Sequence, residues 1–181
     1  MNRFLPFLLL VVVSGAAGYF AYVGLRGQRP EPAYMPPAVS PQAARIAPEF
    51  VLPDVDGQPR SSREWHDTIR LVNFWATWCP PCLREIPLLT EIQREYGERG
   101  VQVIGIAIDE IDAVAEFAAE FQFNYPVLVG QEDAMELGNQ FLDGFVGLPF
   151  TAFTDRNGRV LRVHSGEIHR QQIEAILAEL L

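Results

Sequence analysis

The sequence predicts a mixed α/β sandwich behind a membrane-spanning segment, and three observations carry that reading. From residue 47 onward, short runs rich in β-branched and aromatic residues alternate with longer stretches of helical periodicity. A hairpin signal and one more amphipathic stretch then close the chain, which makes the sheet mixed. At the other end, an uncharged run extends unbroken from Phe4 to Leu25 and is closed by Arg26 and Arg29.

That N-terminal run is 22 residues long, or about 33 Å of helix at about 1.5 Å per residue, close to one bilayer core. Tyr19 and Tyr22 fall where an interfacial aromatic belt would lie. Ser14-Gly15-Ala16 resembles a signal-peptide cleavage site, but nine apolar or small residues follow Ala16, which favours an uncleaved anchor. The expected organisation is a single-pass signal anchor at residues 1–26, a linker at 27–46 and one folded domain at 47–181. Pro30, Pro32, Pro36, Pro37 and Pro41 make the linker a semi-extended tether. Flanking arginines balance across the span, so export of the domain is inferred from the export-type N-terminus. The expected location is the cytoplasmic membrane, with the domain in the periplasm or on the extracytoplasmic face.

The 181-residue chain has a net charge of −9, which argues against a nucleic-acid partner. All 14 basic residues are Arg, so no lysine-based mechanism is available.

The elements follow in order. Pro48 to Leu52 with Asp54-Val55-Asp56-Gly57 predicts a short strand and a turn. Ser61-Ser62-Arg63-Glu64 has the capping pattern of a short helix through Trp65. Leu71–Trp75 is apolar at nearly every position, as in a central strand covered on both faces. A helix is expected from Pro80 to about Tyr96, with Ile86, Leu89, Ile92 and Tyr96 as its buried stripe and Gly97 and Gly100 as its stop. Val101–Ile108 reads as a strand, Ala113–Phe123 as a helix, Pro126–Val129 as a strand and Asp133–Phe141 as a helix. Phe150–Thr154 and Arg159–Val163 form a hairpin across Asp155-Arg156-Asn157-Gly158, and Glu167–Leu181 is the closing helix.

The chemistry concentrates at Cys79 and Cys82, the chain's only cysteines, three apart where the central strand meets a helix. Cys-x-x-Cys in that context is a dithiol redox site. Cys79 falls at the helix N-cap, where unpaired N–H groups and the helix dipole favour a thiolate. Cys82, one turn in and more buried, suits the resolving role, so the pair is expected to cycle as a Cys79–Cys82 disulfide. Pro80 and Pro81 occupy the first turn, where their missing donors are orphans anyway, and they add no charge. Glu85 shares the helix face of Cys82. A carboxyl partly buried there has a raised pKa and can accept the Cys82 proton. Trp78 is expected on the surface over the dithiol and Trp75 in the core. His66, His164 and His169 have no motif context and read as structural.

Other uses of the two cysteines fit less well. A zinc site lacks a second Cys-x-x-Cys. A purely structural disulfide would close too small a loop to add much stability. A thiol peroxidase of peroxiredoxin type needs Thr three residues before its cysteine, where this chain has Ala76. A copper metallochaperone would use His164, which lacks a supporting pattern.

The run Phe74-Trp75-Ala76-Thr77-Trp78-Cys79-Pro80-Pro81-Cys82 resembles the active-site segment of the thioredoxin superfamily. The exported N-terminus, Ala47-Pro48-Glu49-Phe50 and Arg84-Glu85-Ile86-Pro87 are similar to the membrane-anchored TlpA/ResA-like branch and its DsbE/CcmG-type reductases. The resemblance covers about residues 46–181. It implies a thioredoxin fold, a three-layer α/β/α sandwich, with an N-terminal β extension and an inserted β-α unit at 101–129. It also implies thiol–disulfide exchange without a cofactor or metal. Leu148-Pro149 matches the superfamily's cis-proline loop, whose backbone would pair with an extended substrate peptide. ResA-like proteins have an acid at the position of Glu85, and Asn73 departs from the Asp of cytoplasmic thioredoxins. Phe150 stands where related reductases have a small or polar residue. The partners implied are proteins with disulfides, apocytochrome c Cys-x-x-Cys-His segments first among them, and a membrane dithiol donor of the DsbD/CcdA type.

Overall fold

The structure, a computed structural model, describes residues 45–142, 144 and 147–181. The chain divides after Pro36, and every described residue belongs to the second unit, Pro37–Leu181. The expected anchor at 1–26 and nearly all of the linker lie outside the described residues. Among the described residues, no helix is long and apolar enough to cross a membrane.

The first ordered pairing is a small hairpin of β1 (Val51–Pro53) and β2 (Pro59–Ser61). Asp54 closes its turn, accepting from the N–H groups of Asp56 and Gln58 through Oδ1. Next comes a 3₁₀ turn, Ser62–Trp65. Its capping box is the one the sequence announces: Ser61 Oγ accepts from Arg63 N–H, and Glu64 Oε1 accepts from Ser61 N–H at 2.8 Å.

The main sheet has five strands: β3 (Ile69–Trp75), β4 (Val101–Ile108), β5 (Val127–Gly130), β6 (Phe150–Thr154) and β7 (Val160–Ser165). Their order is β5-β4-β3-β6-β7. β3, β4 and β5 run parallel, while β6 is antiparallel to β3 and to β7. β3 is central, and all seven of its residues are buried. Its alternation feeds two cores. Leu71, Trp75, Val103 and Phe153 face one, and Val72, Phe74, Ile104, Ile106, Phe150 and Ala152 face the other.

Four helices cover the sheet: α1 (Pro80–Tyr96), α2 (Ile111–Phe121), α3 (Glu132–Phe141) and α4 (Arg170–Leu180). α1 contributes Ile86, Leu89 and Ile92, and α4 contributes Ile173, Ile176 and Leu177, to the Leu71 side. α3 contributes Ala134, Leu137 and Phe141 to the Phe74 side. Helices therefore flank both faces of a mixed sheet, the three-layer thioredoxin arrangement, with β1–β2 as the N-terminal extension and β4–α2–β5 across 101–129.

Several element ends and their surroundings differ from the sequence reading. α1 ends at Tyr96 as expected, with Gly97 as its cap; Gly97 stays right-handed, and one 3₁₀ turn, Gly97–Arg99, follows until Gly100 takes φ +87°. Tyr96, expected in the buried stripe, is half-buried under the Arg99 guanidinium. α2 spans Ile111–Phe121, ending where Gln122 adopts φ +55°; this turns Phe123 back into an aromatic cluster with Phe117, Phe121 and Trp75. α4 starts at Arg170, three residues later than its amphipathic pattern, because the Ile168 N–H is held by Glu85 and the Gln172 side chain caps His169 N–H. The β6–β7 turn has its positive φ only at Gly158, while Asp155 Oδ1 accepts from Asn157 and Arg159 N–H.

Candidate active site

β3 and β4 end at the same edge of the sheet, the usual place for a site in a parallel arrangement. Past β3 the backbone turns through Ala76, Thr77 and Trp78 into α1. Cys79 is the N-cap of α1 with extended backbone, and Pro80 and Pro81 fill the first turn. Cys79 and Cys82 are joined by a disulfide, S–S 2.02 Å with Cα atoms 5.3 Å apart. The Cys82 N–H points at Cys79 Sγ from 3.4 Å. On reduction, that N–H and the helix N-terminus favour negative charge on Cys79.

Cys82 is fully buried. Cys79, which the sequence places nearer the surface than Cys82, is itself buried in the disulfide form, with only 4 % exposed. Its sulfur is bonded to Cys82 and belongs to the same apolar cluster. The exposed group beside the dithiol is Trp78, at 66 %. Trp75 is core, with its ring 5.5 Å from Phe117.

Glu85 lies one turn beyond Cys82 and is only 2 % exposed. Its Oε1 accepts from Asn73 Nδ2 at 2.7 Å, and its Oε2 accepts from the Ile168 N–H at 2.9 Å. Burial pushes its pKa up to about 7, while the bonds from Ile168 and Asn73 hold it from rising further. Glu167, on the approach to α4, pairs with Arg84 and so ties that segment to α1. The carboxyl therefore titrates in the neutral range and is held by hydrogen bonds from β3 and from the segment ahead of α4.

The Leu148–Pro149 peptide bond is cis. Leu148 is half-buried and packs against the cluster that holds both cysteines. The Pro149 carbonyl accepts from Gly166 N–H at 2.8 Å, which joins this loop to the end of β7. Phe150, the departure noted in the sequence, points away from the dithiol and stacks on Phe74 with centroids 4.4 Å apart.

His164 Nε2 lies 3.2 Å from the Glu167 carbonyl, His169 caps α4 and His66 follows the 3₁₀ turn. Among the described residues, no group of His, Cys, Asp and Glu could hold a metal ion.

One positioning residue is absent from the sequence reading. Asp109, just past β4, accepts from Thr77 N–H at 2.9 Å and from Thr77 Oγ–H at 2.6 Å. It thereby clamps the turn that presents Trp78 and Cys79. The available signal was an acid at the C-terminal end of a parallel strand, but only pairing across 32 residues gives it a partner. Replacing Asp109 with Ala leaves a half-buried N–H without its partner. The expected result is a loss of about 1–3 kcal/mol in denaturant unfolding. Disulfide exchange is expected to slow by roughly tenfold in stopped flow as the loop loses its fixed geometry.

The Redoxin family model matches residues 42–180. Among curated proteins, the thiol-disulfide oxidoreductase ResA of Bacillus cereus (strain ATCC 10987 / NRS 248) is 29 % identical over 176 residues, covering 96 % of this chain and 93 % of the relative. ResA of Bacillus anthracis is 30 % identical over 176 residues, with the same 96 % and 93 % coverage. Among solved structures, a thioredoxin-family thiol:disulfide interchange protein from Chlorobium tepidum TLS has a TM-score of 0.70 and 30 % identity, covering 78 % of this chain and 99 % of that one. A putative thiol:disulfide interchange protein DsbE from Chlorobium tepidum has a TM-score of 0.68 and 27 % identity, covering 78 % of this chain and 100 % of that one.

Proposed function

This chain belongs to the Redoxin family and is a thiol-disulfide oxidoreductase of the ResA/DsbE-like thioredoxin branch, and from that premise we propose that it reduces disulfides of exported proteins from a membrane tether. The observation that carries the proposal is the buried Glu85 carboxyl, with its pKa raised to about 7, one turn beyond Cys82. The Cys79 thiolate attacks a substrate disulfide, forming a Cys79–substrate bond and releasing one substrate thiolate. Cys82 gives its proton to Glu85 and attacks Cys79 Sγ. The second substrate thiol leaves, and the enzyme disulfide has taken up the oxidation. A membrane dithiol donor of the DsbD/CcdA type restores both thiols.

The groups around Cys79 support this direction of electron flow. Pro80 and Pro81 place no cation between the cysteines, so the thiolate is not over-stabilised and the dithiol keeps its reducing power. The preferred substrates are Cys-x-x-Cys-His segments of apocytochrome c, in keeping with relatives named ResA and DsbE. The apolar run from Phe4 to Leu25 anchors the protein in the cytoplasmic membrane, and the domain works on the extracytoplasmic face.

Two measurements test this reading. The reduced protein should reduce an intramolecular Cys-x-x-Cys-His peptide disulfide faster than an unrelated protein disulfide, and its potential should lie below about −200 mV. A potential near −120 mV, that of a strong oxidant, would refute it. Trp78 is the exposed apolar contact for the bound segment. Trp78→Ala is expected to raise KM by about tenfold, the loss of one well-packed aromatic contact, with stability within about 0.5 kcal/mol of the parent.

A further inference from the structure

The partner that orients Glu85 carries an atom the fold leaves unanswered. Asn73 is completely buried on β3, with Nδ2 2.7 Å from Glu85 Oε1 and 3.0 Å from Thr151 Oγ1, its register partner on β6. Its carbonyl oxygen, Oδ1, is buried without any hydrogen-bond partner, and no other side-chain N or O among the described residues is in that position. An unpaired buried acceptor is destabilising and calls for an explanation.

A side-chain amide is a donor at one end and an acceptor at the other, with nearly the same shape at both. An ionised Glu85 can only accept, whereas a protonated one can donate. The Thr151 hydroxyl can do either. The same heavy-atom positions therefore serve both proton states. With Glu85 ionised, Asn73 Nδ2 donates to the carboxylate and to Thr151, as observed. With Glu85 protonated, a half-turn of the amide brings Oδ1 to that place, where it accepts from the Glu85 O–H and the Thr151 O–H. The turn exchanges an unpartnered carbonyl oxygen for an unpartnered amino group, and in return gives the protonated carboxyl the acceptor it needs. The Ile168 N–H keeps Oε2 in both.

We propose that Asn73, working against Thr151, is a positioning residue whose amide turns each time Glu85 gains or loses a proton, so that the carboxyl takes the Cys82 proton without moving. The proposal rests on Glu85 as the acceptor for Cys82. The step is balanced: the Cys82 S–H bond breaks, a Glu85 O–H bond forms, and the freed sulfur lone pair attacks Cys79 Sγ. Asp at position 73 could not serve, because it would set a second negative charge beside the first. The other ionisable groups bearing on Glu85 are Cys82 and Arg84 on α1, Glu167 ahead of α4 and Tyr125 ahead of β5. None of them changes partner in the turn.

The test uses the oxidised full chain without substrate, following the Glu85 carboxyl by ¹³C NMR and the Asn73 amide by ¹⁵N NMR across pH. The expected result is that both signals move with one midpoint and that Glu85→Gln abolishes the Asn73 transition. Asn73→Leu is expected to raise the Glu85 midpoint by about one pH unit or more. Thr151→Val should raise it by less, and Thr151→Ser should restore it. The threonine pair keeps the test decisive should the leucine variant fail to fold. An Asn73 amide signal that stays flat through the Glu85 transition overturns the proposal, as does an unmoved midpoint in Thr151→Val. Because no substrate is present, that failure would leave the reductase reading standing. Loss of reductase activity with intact co-titration would sink only the latter.

Discussion

Cys82→Ala is expected to convert the enzyme into a trap. Cys79 remains at the N-cap of α1, with helix N–H groups to support its thiolate, so attack on a substrate disulfide proceeds. The mixed disulfide then has no neighbouring thiol to resolve it. Multiple turnover should fall by on the order of 100-fold or more, with the missing activity recovered as covalent adducts. Cys79→Ser should abolish both turnover and adducts. The side chain lost at position 82 is small, so the fold should survive: Cys82→Ala leaves a minor cavity in a fully buried position, worth about 1 kcal/mol. Non-reducing gels of the full chain in membranes, with mass spectrometry of the captured proteins, read the outcome directly. Adducts on Cys79 that carry Cys-x-x-Cys-His proteins support maturation of cytochromes, while a spread of envelope proteins points to general reduction. Adducts that persist in Cys79→Ser would mean that the nucleophile has been misidentified.

Glu85→Gln is expected to make the oxidised protein more stable and a poorer catalyst. The Glu85 pKa rises from 4.5 to about 7 in the folded state, chiefly through burial. Below pH 4.5 the carboxyl is protonated in both folded and unfolded chains and contributes no difference. Between pH 4.5 and 7 the unfolded chain ionises first, so stability falls as pH rises, and above 7 the deficit is constant. A displacement of that size corresponds to about 3 kcal/mol. Gln mimics the protonated acid, with its oxygen on the Ile168 N–H and its amide toward Asn73. The variant should therefore lose the stability slope between pH 4.5 and 7 and exceed the parent by roughly 2–3 kcal/mol at pH 8. Release of reduced substrate should slow by about 10²–10⁴-fold, the usual contribution of a positioned base. Urea unfolding across pH and single-turnover release rates measure the two effects. A variant with parental slope and parental release rate would remove Glu85 from the mechanism.

The sequence reading went furthest where local rules suffice. Leu71–Trp75 reads as central because every position but Asn73 is apolar, and only a strand covered on both faces needs that. Cys79, Pro80 and Pro81 mark a helix start through capping and the missing proline donors, which are properties of adjacent residues. Element ends were less legible. The pattern of α2 runs to Phe123, yet the left-handed turn falls at Gln122, where no glycine signals it. The start of α4 could not be read from its own residues, because the Ile168 N–H is claimed by a carboxyl 83 residues away.

The site divides along the same line. Chemical identity is local: a dithiol, a helix N-terminus over one sulfur and an acid one turn beyond the other all lie within residues 79–85. Tertiary structure alone decided how those groups are held. It sealed Glu85 from water, set Asn73 and Thr151 beside it through the β3–β6 register, and clamped Thr77 with Asp109 from the neighbouring strand. The physical reason is the range of the forces. Capping and backbone preferences act within a few residues, whereas desolvation and hydrogen bonding to a buried charge depend on whatever the folded chain brings within about 3 Å.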